Sequence, residues 1–359
     1  MSNFRRRFVY LVVDGGYNRR RRASLDNCFH MRRINMSRFF NPQSPPPPSS
    51  MDMVEDARQL PPPCMTFYAP SAMHFMLLGR DSKVLAVDHK GRAAIYDPAS
   101  AAIRVAPALI NPKRLPFVSV AVGDDGLYAL DPTKSDEHSF EALVHKPRPP
   151  GDDDWHWQSL PPPPYQPYSC SFVGAYAAIG AYAFVGGEEA AMILVSTNNG
   201  ATYSFDTTRR GWSKQGDWEL PFRGLADYVP DYNLWFALND AGHLCAFDLA
   251  TANSSPAPPR PRNVWPELVK PPHKEWKPVT SYLVHLGSGR FCIARIFENK
   301  VKIPGGCCCC DMETQTETHA VFTGVEVAPC GKAGRGLRMV KHRSECYRLG
   351  HDILREWVL

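Results

Sequence analysis

An all-β chain is predicted by three features of this sequence. One hairpin pattern recurs along it, tryptophan-bearing strands run into Leu-Pro, and 34 of its 359 residues are proline, about twice the usual share. Recurrence every ~35–50 residues suits four-stranded blades, because a single such sheet cannot cover its own apolar faces and must stack on others. The architecture expected is therefore a β-propeller, with six blades inside a range of five to seven.

The hairpins come first. Residues 84–88 lead through His89-Lys90-Gly91-Arg92 into 93–97, and 192–196 lead through Thr197-Asn198-Asn199-Gly200 into 201–206. Residues 234–239 lead through Asp240-Ala241-Gly242-His243 into 244–248, and 118–122 through Gly123-Asp124-Asp125-Gly126 into 127–131. A looser fifth copy joins 282–286 through Gly287-Ser288-Gly289 to 290–297. In the first four, the turn glycine precedes a closing aspartate by five or six residues. The glycine supplies a positive φ, and the carboxylate caps the turn that follows.

The tryptophan strands come next. Trp155-His156-Trp157-Gln158-Ser159-Leu160 runs into prolines 161–164 and Tyr165, and Trp218-Glu219-Leu220 runs into Pro221-Phe222. Each reads as the outer strand of a blade, with proline turning the chain into the next one. The blades then fall near 68–110, 115–165, 168–221, 222–268 and 279–348, and strands near 8–13 and 28–34 complete the set or add one. In domain terms, residues 1–40 are N-terminal strands around an arginine-rich loop, 41–63 a flexible proline-rich linker, and 64–359 the propeller. Residues 133–154 and 252–278 read as long loops, and 351–359 as a short helix or strand.

Hydrophobic residues make up 44% of the chain and charged ones 21%, with a net charge of +5. Residues 1–40 hold ten arginines and only Asp14 and Asp26, which leaves the remainder slightly acidic. A uniformly basic nucleic-acid binder has a different distribution. No stretch reaches the ~18 uncharged apolar residues of a membrane span. The apolar run at 8–13 follows three arginines but ends quickly in Asp14-Gly15-Gly16, which favours a strand over a signal peptide. Cytoplasmic or nuclear residence is expected, with organelle targeting the alternative. Eleven cysteines without a signal segment point to thiols in a reducing compartment, where the sequons at Asn35 and Asn253 stay unmodified.

Gly216-Asp217-Trp218-Glu219-Leu220-Pro221-Phe222-Arg223-Gly224, with Tyr228 and Leu234-Trp235, resembles the central signature of a grass-expanded plant family, the domain-of-unknown-function 1668 family. The opening Phe8-Val9-Tyr10-Leu11-Val12-Val13, then Ser37-Arg38-Phe39-Phe40, residues 200–207 and Arg290-Phe291-Cys292 match further parts, so the resemblance spans nearly the whole chain. It implies a propeller related to kelch-type domains, and Gly186-Gly187 followed by Tyr203 and Trp212 is a kelch-like pattern. It carries over no catalytic residues. The runs at Arg19 to Arg22 and Gly305 to Cys310 depart from the family pattern.

The motifs of known chemistries do not fit. Cys307 to Cys310 are consecutive, whereas a zinc site needs separated thiolates that converge tetrahedrally; the run, after Pro304-Gly305-Gly306, reads as an exposed loop. Twelve histidines lack His-Glu-x-x-His spacing, and no Gly-x-Ser-x-Gly elbow occurs. Gly331-Lys332-Ala333-Gly334-Arg335-Gly336 lacks the spacer and hydroxyl of a P-loop and reads as a basic loop. Residues 123–126 are too few for a calcium loop, and Asp152 to Asp154 read as solvated. Arg5 to Arg7 and Arg19 to Arg22 read as charge exposed between strands, and the tryptophan and tyrosine clusters as blade packing.

No residue is therefore assigned a catalytic, cofactor-binding or metal-ligating role. The expectation is a monomeric, non-enzymatic propeller that binds another, unidentified protein, away from membranes. The alternatives are a small-ligand-binding or enzymatic propeller and, second, nucleic-acid association through the arginine-rich start. No F-box helices are read before residue 60.

Overall fold

The structure, a computed structural model, describes residues 6–14, 27–40, 57–79, 83–115, 117–122, 126–133, 136–146, 154–165, 181–186, 191–197, 200–250, 257–266, 273–304, 312–331, 336–351 and 353–359. Along the chain lie β1 (Phe8–Asp14), β2 (Asn27–Asn35), the 3-10 helix η1 (Met36–Phe40), β3 (Arg58–Gln59) and β4 (Met65–Ala69). Then come β5 (Met73–Leu78), β6 (Lys83–Asp88), β7 (Ala93–Asp97), β8 (Ala102–Ala106), β9 (Val118–Val122), β10 (Gly126–Leu130), β11 (Phe140–Lys146) and β12 (Asp154–Ser159). β13 (Ala181–Gly186), β14 (Ala191–Thr197), β15 (Ala201–Asp206), β16 (Gly211–Gly216), β17 (Arg223–Val229), β18 (Leu234–Leu238), β19 (Leu244–Phe247) and β20 (Pro261–Trp265) follow. β21 (Lys277–Gly287), β22 (Arg290–Pro304), β23 (Met312–Cys330), β24 (Gly336–His351) and β25 (Glu356–Val358) complete the order. The expected fold class is present: an all-β chain with six four-stranded blades, the β-propeller fold.

The chain divides into two compact units, one of Met1–Pro70, Ala241–Leu244 and Trp265–Leu359, the other of Ser71–Asp240 and Cys245–Val264. In the first unit, β25, β1, β2 and β4 form one sheet, so the chain's last strand pairs with its first. A second sheet runs β21-β22-β23-β24, with β3 added in parallel at the β24 edge. Val9, Leu11, Val13, Ile34, Met36 and Phe39 bury against Ala294, Ile296, Ala320, Phe322 and Leu349, which joins the two sheets face to face. The whole of β1 is apolar up to Asp14 because both of its faces are buried.

The second unit holds β5–β8, β9–β12, and an eight-stranded sheet in which β13 and β17 lie parallel and couple two blades. The predicted turns at 89–92, 240–243 and 287–289 are present, whereas Gly123 to Asp125 and Asn198-Asn199 lie outside the described residues. Gly91 and Gly200 sit at φ +80° and +86°. The carboxylates of Asp97, Asp131 and Asp206 accept the amides of Ala99, Thr133 and Thr208 at 2.8–2.9 Å, capping the turns. Trp157 buries its ring and donates to the Pro107 carbonyl at 2.9 Å, so this tryptophan is blade packing.

Three local expectations are corrected. β11 lies inside 133–154 and β20 inside 252–278, both read as loops. β20 is an edge strand, exposed at most positions and opened by a proline that an edge tolerates, so no apolar run announces it. Trp218 and Leu220 lie just past β16 rather than within the outer strand. The stretch 351–359 contains the strand β25 at Glu356–Val358. Within the predicted linker, Arg58–Gln59 pairs with Tyr347 and Arg348. Arg19 to Arg22, Cys307 to Cys310, 41–56 and Lys332 to Arg335 lie outside the described residues.

The nine-residue signature is a crossover. It leaves β16 at Gly216, where an added Cβ would stand 2.1 Å from the Trp218 ring nitrogen, so the indole folds back over bare backbone. The Trp218 carbonyl accepts from Thr202 at 2.6 Å, the Leu220 amide donates to Ser196 at 3.0 Å, and Phe222 is fully buried. Arg223 then opens β17 and pairs with Asp240. The Trp218 carbonyl, the Leu220 amide and the buried Phe222 thus tie the crossover to β14 and β15, while the buried Trp218 ring nitrogen has no hydrogen-bond partner among the described residues, so the signature marks architecture.

Candidate functional site

In the first unit, the outer part of the long sheet gathers cations around one buried carboxylate. Thr323 pairs with Ser344 and Val325 with Lys341, so His342 and Arg343 are extra residues of β24 facing Gly324. Such a bulge bends a strand and re-aims its side chains. Opposite it, η1 lies directly on β23, because an added Cβ at Gly324 would come within 3.0 Å of Phe39 and 3.2 Å of the Phe40 ring.

Glu345, two residues past the bulge, has its side chain 2% exposed. A buried carboxylate must be paired, and this one is. It accepts the Tyr347 hydroxyl at 2.6 Å, lies 3.3 Å from Arg38 Nη2 and 3.2 Å from Arg58 Nη1, and 3.5 Å from Arg343 Nε. Those arginine side chains are 52%, 38% and 45% exposed. The carboxylate is thus a buried anchor, and the guanidiniums are its half-exposed rim. Burial, and then the carboxylate that accepts its proton, push the Tyr347 phenol up to about 12. It therefore acts as a fixed donor near neutral pH.

Beside this rim, His342 Nε2 donates to the Glu326 carboxylate across 3.0 Å, and Arg290 lies 3.4 Å from the same carboxylate. The Phe40 ring is 4.9 Å from the His342 ring, and the Arg290 guanidinium stands over it at 5.6 Å. Planar cations interleaved with an aromatic ring form a surface suited to carboxylates and other anions, since guanidinium matches them with paired donors. The sequence reading placed Arg38 and Phe40 in a family match without a role, and missed Arg58, Arg343 and Glu345.

Among the described residues, several other features singled out in the sequence are structural. Arg6 donates its amide to the Leu286 carbonyl at 3.1 Å, and Arg7 packs over Phe8 at 5.5 Å, so this part of the arginine-rich start is built into the first unit. Asp154 pairs with Arg104. In the second unit, Lys113 and Glu141 form a fully buried pair at 2.9 Å, and Glu141 also accepts the amides of Ile110 and Asn111, clamping the segment between β8 and β9. No group of three or more metal-ligating side chains occurs among the described residues, and no helix there is long and apolar enough to cross a membrane.

Six four-stranded blades place this chain in the class of β-propeller proteins. Over residues 6–347 it matches the model of a family described as protein of unknown function, DUF1668, and it belongs to that family. No curated protein sequence matches it. Solved structures that resemble it include an auxiliary nutrient binding protein from Bacteroides thetaiotaomicron, at 10% identity and a TM-score of 0.36, covering 75% of this chain and 56% of that one. Another is the β-propeller domain of Cps50 (Swd1) from Myceliophteria thermophila, at 9% identity and 0.39, covering 88% and 81%. The Malassezia sympodialis allergen Mala s 1 follows at 13% identity and 0.32, covering 77% and 91%.

Proposed function

We propose that this chain is a non-enzymatic, kelch-like plant propeller that binds another protein, docking an acidic segment of it on the Arg38–Arg58–Arg343 rim. The observation that carries the reading is the gathering of three half-exposed guanidiniums at one buried carboxylate, Glu345. The kelch-like reading is supported by the packing of Trp212 on Phe205 and Phe140 at 5.1 and 5.3 Å. A reducing location, cytoplasm or nucleus, and a monomeric state belong to the same reading.

The test uses the full chain and a labelled oligo-glutamate peptide. Binding should weaken as salt rises and fall about tenfold or more, a loss of ~1.4 kcal/mol, in the double variant R38E/R343E. Proximity labelling in plant cells should then return a partner set that the variant loses. Peptide binding absent at low salt, or identical partner sets for both chains, overturns the proposal.

A further inference from the structure

A second cluster, on the first sheet of the same unit, carries different chemistry. The β2–β4 register sets Cys28 opposite Tyr68 and His30 opposite Thr66. Because side chains alternate, Cys28, His30 and Arg32 share one face of β2, the reverse of the face on which Phe29 and Met31 are buried. The Cys28 sulfur lies 3.5 Å from Nε2 of His30, whose Nδ1 lies 3.1 Å from the Thr66 hydroxyl. Arg32 is fixed by its donations to the Pro61 and His30 carbonyls at 3.1 and 3.3 Å. Its guanidinium interacts electrostatically with Cys28 and Cys64.

A thiol beside an imidazole that a hydroxyl orients, with a fixed cation in the same row, is the arrangement that activates a cysteine nucleophile. Burial, and then Arg32, hold the His30 imidazole below its ordinary value, which leaves it neutral and able to accept a proton near pH 7. Other described thiols contrast. Burial pushes Cys245 up to about 11 and Cys346 up to about 12, and Cys292 higher still. Cys64 donates its proton to the Met31 carbonyl at 3.3 Å. Cys28 is half-buried, so small reagents reach it.

We propose that Cys28 is a modification site, the thiol among the described residues that reacts with peroxide-class oxidants. His30 Nε2 takes the thiol proton, and the thiolate attacks one oxygen of hydrogen peroxide. An S–O bond forms, the O–O bond breaks, and the leaving hydroxide takes the proton from the imidazolium as water. Sulfur is oxidised by two electrons to the sulfenic acid, and the peroxide is reduced. Cys64 bonds next to Arg32, four residues or ~13 Å along the strand from Cys28, too far for a disulfide. Cys64 therefore does not consume the sulfenic acid before it is trapped.

The experiment treats the full chain with hydrogen peroxide at pH 7 in the presence of dimedone and maps labelled cysteines by peptide mass spectrometry. Cys28 should label about tenfold or more faster than Cys330 and Cys346 in the same molecules, as thiolate-controlled reactivity requires. His30→Asn should lower Cys28 labelling about tenfold while leaving Cys330 unchanged. Labelling of Cys28 no faster than Cys330 overturns the proposal, as does an unchanged rate in the variant. Should the variant fail to fold, the comparison within the wild-type chain decides alone.

Discussion

Glu345 shows how much a single carboxylate can organise. Its partners Arg38 and Arg58 lie 307 and 287 residues away in sequence, so no local pattern announces the cluster. Replacing it with alanine strands the buried Tyr347 hydroxyl and sets η1 and β3 loose. Because the guanidiniums are half-exposed and turn to water, the cost should be about 2–4 kcal/mol in chemical denaturation, under that of a wholly buried pair. Tyr347 adds an alkaline signature. Between pH 10 and about 12 the unfolded chain releases a phenol proton that the folded chain keeps, so stability present below pH 10 is lost across that window. Tyr347→Phe should flatten this part of the stability profile. His319, stacked on Trp276 at 4.2 Å, acts at the other end. Burial, helped by Arg348, His273 and His351 and opposed by Glu317, holds its pKa below the usual 6.5. As pH falls through 6.5 the unfolded chain gains a proton that the folded chain refuses, and stability drops. His319→Phe, which keeps the stacking, should lessen that acid loss in thermal melts from pH 7 to 5.

Elements built from neighbouring residues were legible in the sequence. The hairpins of β6–β7 and β14–β15 declare themselves because turn glycine, capping aspartate and apolar strands fall within a dozen or so positions. β11 and β20 were not legible: one is hemmed in by polar residues, and the other is an edge strand whose exposed pattern carries no period. The crossover at Gly216 was recognisable as a signature, but its geometry was not. A methyl group there meets the indole at 2.1 Å, so Gly216→Ala should displace Trp218 and destabilise the second unit by about 1–3 kcal/mol, the usual cost of overpacking. Urea unfolding followed by tryptophan fluorescence measures it. Lys113→Met should cost more, about 3–5 kcal/mol, because it leaves Glu141 charged and buried.

Across the whole molecule, the repeat located five blades, since each hairpin copy needs two more strands to fill a sheet, and the sixth is the sheet of the N-terminal strands β1 and β2. The pairing of β25 with β1 did not follow from it, because three residues of strand after a long chain have no distinguishing pattern. Deleting residues 353–359 should uncover the edge of β1, whose side chains are almost all buried apolar groups. An open apolar edge templates association, so the truncated chain should elute as aggregates in size-exclusion chromatography where the full chain is monodisperse.

The same pairing sets a timetable for synthesis. Val12 leaves the ribosome about 345 residues before Trp357, its partner across the ladder. At ~5–20 residues per second, the nascent β1 waits on the order of 20–70 s without that neighbour. The first unit can be completed only once β25 has emerged, and until then the apolar β1 ribbon is open to association with other chains.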